Sequence, residues 1–186
     1  MKGLLLLADG FEDTEALTTR DVLLRAGFEI ITCSIKQERA VTSSFGVEVM
    51  ADSSSQYTDP MEFDFLILPG GGTGVRNLAA SHYTTMAINN FISHNRYVFA
   101  ICAAPSLLGR LGHLKDKNFT CFPGFEVGFG GNYIDDQGVV VDGNIITARS
   151  MYYSIDFALE ITRLLKNDND ETMNRVLDGI KGLKDK

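Results

Sequence analysis

Short apolar runs of β type alternate with stretches of helical pattern along most of this chain. That alternation constrains the fold more than any other feature. Residues 4–8, 63–68 and 97–101 are nearly continuous in Leu, Ile, Val, Phe and Ala, and 28–34 carries Phe28, Ile30, Ile31 and Cys33. Strands of that kind have no polar face to turn toward water, so they belong in a sheet buried on both sides. Such sheets are built from parallel strands joined by helical crossovers. The intervening segments fit. Residues 13–26 place Ala16, Leu17, Val22, Leu23, Leu24 and Ala26 at helical spacing, with Gly27 as a stop. A second helical pattern covers about residues 82–94, and a third covers 154–165.

Two hairpins interrupt the pattern. One spans residues 39–51 around Ser43, Ser44 and Gly46; the other pairs 139–141 with 145–148 across Asp142-Gly143-Asn144. At the C-terminus, Asp168 and Glu171 are spaced like a capping box. They open a helix over about residues 169–183 with Met173, Val176, Leu177, Ile180 and Leu183 on one stripe. Such a stripe docks on its own domain, crosses to a partner subunit or covers a pocket, and the pattern alone does not choose. The expectation is an α/β fold with a mostly parallel sheet, forming a single domain over residues 1–186.

Composition narrows the partners. A net charge of −7 argues against nucleic acid or an anionic membrane surface, since neither attracts an acidic protein. The apolar run at 4–8 is too short for a signal peptide, and Asp9, Glu12, Asp13 and Glu15 follow at once. No stretch has the length of a membrane span. Three cysteines, Cys33, Cys102 and Cys121, suit neither a disulfide framework nor a metal site, so no metal is expected and a reducing cytoplasm is the default compartment.

In parallel sheets ligands bind beyond the carboxyl ends of the strands. Three short segments fall at such ends: 9–15, 70–74 and 102–105. Cys102 ends an apolar strand and is followed by Ala103, Ala104 and Pro105, the start of a helix. This is the setting of a nucleophile elbow with sulfur as the nucleophile, where the helix N-terminus favours a thiolate. A buried cysteine filling space at a strand end fits the same run. Glu15 lies in the first helical turn after strand one. There it is either an ordinary helix-start acid, which position alone favours, or a carboxyl that approaches Cys102 and, if buried, holds a proton toward the sulfur. Gly70-Gly71-Gly72-Thr73-Gly74 lacks the Lys-Ser or Lys-Thr of a phosphate-binding loop and the spacing of a dinucleotide fingerprint. It is a flexible turn that also suits an anion hole, with the Gly71 and Ala103 N–H groups as donors. His82, His94 and His113 fall in helices or polar loops, which leaves a Cys–His pair weakly supported.

Three segments, Gly10-Phe11-Glu12-Asp13-Thr14-Glu15, Leu66-Ile67-Leu68-Pro69-Gly70-Gly71-Gly72 and Ala100-Ile101-Cys102-Ala103-Ala104-Pro105, resemble the signature segments of the DJ-1/PfpI (ThiJ) superfamily in order and interval. Residues 20–27 and 145–150, leading into 157–159, agree as well, and the resemblance spans about residues 2–165. It is nearest to the DJ-1-like branch. The resemblance implies a flavodoxin-like three-layer sandwich, usually a homodimer, with Cys102 as elbow cysteine hydrogen-bonded to a protonated Glu15. It places Phe122, Cys121 and Arg149 around the pocket.

What the family does is varied. The activities it implies are a cofactor-free glyoxalase or deglycase acting on small 2-oxoaldehydes, such as methylglyoxal to lactate. Oxidative-stress sensing and chaperone activity are the alternatives without turnover. Protease and thiamine-biosynthesis roles are less expected. In the protease-like branch a histidine follows the cysteine, whereas Ala103 stands here. A histidine often precedes a proline near the DJ-1-like pocket, whereas this chain has Phe122-Pro123. Glu15 would then move protons alone or with water. Cys121 is either a small packed residue, the favoured reading, or a thiol that resolves an oxidised Cys102. Cys33 is expected in the core.

Overall fold

The computed structural model describes residues 1–167 and 170–183. In chain order the elements are β1 (Lys2–Leu7), α1 (Asp13–Arg25), β2 (Glu29–Ser34), β3 (Ala40–Thr42), β4 (Glu48–Met50), β5 (Ser53–Ser54), β6 (Phe65–Leu68), α2 (Gly72–Ala80), α3 (His82–Ser93), β7 (Tyr97–Ile101), α4 (Pro105–Arg110), β8 (Asn118–Phe119), β9 (Asn132–Tyr133), β10 (Val139–Asp142), β11 (Ile145–Ala148), α5 (Ser154–Leu165) and α6 (Asp170–Lys181). Short 3-10 turns cover Pro60–Glu62 and Met151–Tyr153.

The main sheet has the order β10-β11-β7-β6-β1-β2-β5. Every neighbouring pair is parallel except β10 with β11. Reading only β2, β1, β6, β7 and β11, the order is the 2-1-3-4-5 winding of flavodoxin-like folds. The chain steps from β1 outward to β2, then returns to the other side of β1 at β6. The strand order therefore reverses between β1 and β6, and a crevice opens there at the carboxyl ends of the strands.

Period-two alternation divides each strand between two cores. Leu4, Leu6, Leu66, Leu68, Val98 and Ala100 face Val75, Leu78, Ile88, Phe91 and Leu108 of α2, α3 and α4. Leu5, Leu7, Phe65, Ile67, Phe99 and Ile101 face Ala16, Leu23, Phe157, Ile161 and Val176 of α1, α5 and α6. This is the three-layer sandwich expected. Gly3 lies beside Phe65 on the neighbouring strand, and a Cβ there would run into that ring.

Both expected hairpins form, and α1 ends where Gly27 predicts. Gly27 adopts φ 81°; its N–H donates to Leu24 O (2.9 Å) and the Phe28 N–H donates to Leu23 O (3.1 Å), a Schellman closure. The helix α2, however, was not expected. Its first residues are Gly72-Thr73-Gly74, and glycine's cost within a helix masks the pattern. Strand six is also shorter than anticipated, because Pro60–Glu62 forms a 3-10 turn and Phe63 caps it.

In α6, Met173 and Val176 are buried, and Val176 joins the core under α1 and α5. The stripe thus docks on its own domain. Leu183 lies beyond the helix and is exposed. Asp168, half of the expected capping box, lies outside the described residues, as does Asn169. Among the described residues no helix is long and apolar enough to cross a membrane.

Candidate active site

The three strand ends singled out in the sequence meet at the crevice, because β1, β6 and β7 are neighbours. Cys102 follows β7 directly and holds φ 63°, a left-handed conformation that costs a non-glycine residue free energy. The surroundings over-determine it. Its N–H donates to Ala148 O at 2.8 Å, and its carbonyl accepts from the Phe122 N–H at 2.8 Å. Pro105 then starts α4 at once. The side chain is half-buried, while Cys33 and Cys121 are fully buried.

Glu15 enters from α1. It is 1% exposed, which is rare for a carboxyl without a counter-ion. Its Oε2 accepts from the Gly70 N–H at 2.7 Å, and its side chain lies in hydrogen-bonding reach of Cys102. Oε1 is buried with no partner of good hydrogen-bond geometry. Such an oxygen penalises the anion. Burial, above all, pushes the Glu15 carboxyl up to about 7; the nearby Glu12 charge adds to this, while the Cys102 contact and the Gly70 N–H oppose it.

Cys102 responds to the same neighbours. Burial first, and then an ionised Glu15 beside it, push the thiol up. The Gly71 and Ala103 N–H groups, both directed at the sulfur, pull it down. Two acids in contact behave as a pair. The pair holds one negative charge before it holds two, and a proton on Glu15 removes the second of the two effects that raise the Cys102 thiol, leaving burial.

Glycine is required where β6 meets this pair. A Cβ on Gly70 would strike Glu15 Oε2 and come within 2.6 Å of Cys102 Cβ. Gly71 adopts φ 88°, and a Cβ there would strike Gly10 O. Glycine at 70 and 71 thus lets the β6 end pass between α1 and the elbow. Beside it, a cavity of about 490 Å³ is lined by Gly10, Ser43, Ser44, Gly72, Thr73 and Arg76.

Phe122 is tied to Cys102 through its backbone, yet its ring is 45% exposed and meets Phe125 edge-on at 6.4 Å. Cys121 faces the α2–α4 core; burial first, then the Glu126 charge, push its thiol up to about 12, with Arg149 and the Phe125 N–H opposing. Arg149 is half-buried, and its Nε and Nη2 have no hydrogen-bond partner. The three histidines sit on or against α3: His82 opens it, His94 bonds Asn90 O (2.9 Å), and His113 bonds Asn89 Oδ1 (2.7 Å). The residue pattern assigns no individual role to Gly70 or Glu12. The only signal for Gly70 was its place in the glycine run. For Glu12 it was its place three residues before Glu15, as in a helix cap.

Comparison with known proteins agrees with this fold. The DJ-1/PfpI family model matches residues 1–164. Protein dj-1beta of Drosophila melanogaster is 34% identical over 164 residues, 87% of this chain and 88% of its own. Its crystal structure superposes with a TM-score of 0.90 at 31% identity, covering 99% of this chain and 98% of that one. A Pyrococcus abyssi protein named as a deglycase is 32% identical over 169 residues, 89% of this chain and all of its own. Oxidized DJ-1 of Toxoplasma gondii superposes with a TM-score of 0.89 at 26% identity, covering 96% and 97%. The chain belongs to the DJ-1/PfpI family.

Proposed function

We propose that the protein is a cysteine-dependent, cofactor-free enzyme acting on small 2-oxoaldehydes, of the glyoxalase or deglycase type. The observation that carries this reading is Cys102 at its left-handed elbow, in contact with a buried Glu15 and faced by the Gly71 and Ala103 N–H groups. The pyrococcal relative named as a deglycase supports the same class.

With methylglyoxal, the Cys102 thiolate adds to the aldehyde carbon, forming a C–S bond. The developing oxyanion is held by the two amides and takes the Glu15 proton, leaving a neutral hemithioacetal and a Glu15 carboxylate. That carboxylate removes the hydrogen on the former aldehyde carbon and returns it to the adjacent carbon through an enediol, giving a thioester of a 2-hydroxy acid. Water then cleaves the thioester, releasing lactate and restoring Cys102 and Glu15. A carboxyl whose affinity for protons lies near neutral pH suits both halves of this cycle. Lactate formation by the wild-type protein, lost in Cys102→Ala and Glu15→Gln, is the expected result. No lactate from any of the three sinks the reading.

One observation favours a second role. Cys102 is the half-exposed thiol, and a structural relative is an oxidized DJ-1. A peroxide would convert its thiolate to a sulfenate in the same amide cradle, with or without aldehyde turnover. We also infer a homodimer. Phe45 is 81% exposed on the β3–β4 hairpin, with Val47 and Met50 exposed nearby, and Leu17 and Leu24 are exposed on α1. Light scattering of wild type and Phe45→Glu tests this, with a lower mass expected for the variant.

A further inference from the structure

The N–H and the carbonyl of Gly70 are both bonded by the start of α1. The Glu12 N–H donates to Gly70 O at 3.1 Å, and the Gly70 N–H donates to Glu15 Oε2 at 2.7 Å. Glu12 Oε2 accepts from the Glu15 N–H at 2.7 Å, as the N-cap of the helix. These three bonds form a closed circuit through Glu12, Glu15 and Gly70. It fixes the residue that meets Cys102.

The choice of cap is informative. Helices are usually capped by Ser, Thr, Asp or Asn, which satisfy the same N–H with a shorter side chain. A glutamate reaches the same donor and leaves a full negative charge beside Glu15, which capping with Ser or Asn would not. A carboxylate nearby disfavours a negative charge on Glu15, and Glu12 acts on it in that sense. The groups acting on Glu15 are Glu12 from its own helix, the Cys102 thiol from the β7–α4 turn and the Gly70 N–H from the end of β6; no cation is among them.

We propose that Glu12 is a positioning residue for the reactive pair: its cap bond sets the turn that carries Glu15, and its charge biases the shared proton toward Glu15 and the shared negative charge toward Cys102. The role is indirect, since Glu12 acts through Glu15. It rests on the reading that Glu15 and Cys102 share one charge.

The test is the rate of Cys102 alkylation by iodoacetamide across pH 5–9, followed by intact mass on protein confirmed folded by circular dichroism. Glu12→Gln keeps an acceptor oxygen and removes the charge. Its midpoint is expected to fall by about half a pH unit and its plateau rate by about threefold, as charge moves from sulfur to Glu15. Asp21→Asn, an equal charge loss on the exposed face of α1, leaves both in place. Glu12→Asp, with charge and acceptor kept, returns the profile toward wild type. Glu15→Gln, the control for the pair itself, removes the shared titration altogether.

If Glu15→Gln changes the profile and Glu12→Gln does not, the role of Glu12 is overturned while the pair stands. If neither changes it, the shared-charge reading falls and the proposal falls with it.

Discussion

The Gly70 N–H donates to Glu15 Oε2 at 2.7 Å, so the carboxyl that meets Cys102 is held by the backbone of the turn between β6 and α2. The contact is possible only because residue 70 has no side chain. A Cβ would strike Glu15 Oε2 and lie 2.6 Å from Cys102 Cβ and 3.1 Å from its sulfur. Gly70→Ala must therefore separate α1 from the elbow. Overpacking of this kind costs about 1–3 kcal/mol. The expected result is a lower melting temperature together with slower alkylation of Cys102. A variant that melts as wild type and reacts as fast would show that the close approach is not needed.

Glu15 also sets how stability depends on pH. Its carboxyl is raised from 4.5 to about 7 in the fold. Between those values the folded state holds a proton that the unfolded chain has released, so stability falls as pH rises through the window. The loss is complete above about pH 7 and amounts to about 3 kcal/mol. Glu15→Gln does not titrate, and its carboxamide oxygen can still accept from Gly70. The variant should match wild type near pH 5 and exceed it increasingly toward pH 8. Thermal melts at pH 5, 6, 7 and 8 measure this, and a constant difference across them contradicts it.

The three cysteines should separate cleanly by reactivity. Cys33 and Cys121 are both fully buried, and burial raises both thiols. Cys102 alone is half-exposed, with two N–H groups directed at it. Iodoacetamide on the native protein at neutral pH should add at Cys102 only, and in denaturant at all three. Early labelling of Cys121 in the native state would mean that its side of the elbow opens to solvent.

Much of this arrangement was visible in the residue pattern. Continuous apolar runs led to a parallel sheet because strands such as Leu66-Ile67-Leu68 offer nothing to water, and a parallel sheet carries its ligands at the strand ends. That put residues 9–15, 70–74 and 102–105 at one end of the sheet, while position alone favoured Glu15 as an ordinary helix-start acid and only the family resemblance implied its contact with Cys102. What stayed hidden depends on three-dimensional contact. The helix α2 was masked by the glycines that the site needs at its start. The burial of Glu15 could not be read from its place among Glu12 and Asp13, because three acids at a helix start look alike until one of them is covered. Arg149 lay in a recognisable segment, but its unpaired nitrogens follow from packing alone.

Phe122 supplies the sharpest test of the proton-transfer scheme. Its N–H donates to Cys102 O at 2.8 Å, which pins residue 122 to the elbow whatever side chain it carries. The ring is 45% exposed and meets Phe125 edge-on, so a smaller ring fits without disturbing the core. An imidazole there adds a second acid–base group to the proposed scheme, in which Glu15 moves protons alone or with water. General acid–base groups contribute about 100-fold or more when well placed. Phe122→His should raise kcat for lactate formation from methylglyoxal by about tenfold or more, with a new limb in the pH profile near about 6.5, the ordinary range of histidine. Adding Cys102→Ala to it should abolish the activity. An unchanged kcat in a folded Phe122→His protein would mean that proton transfer is complete with Glu15 alone and that another step limits turnover.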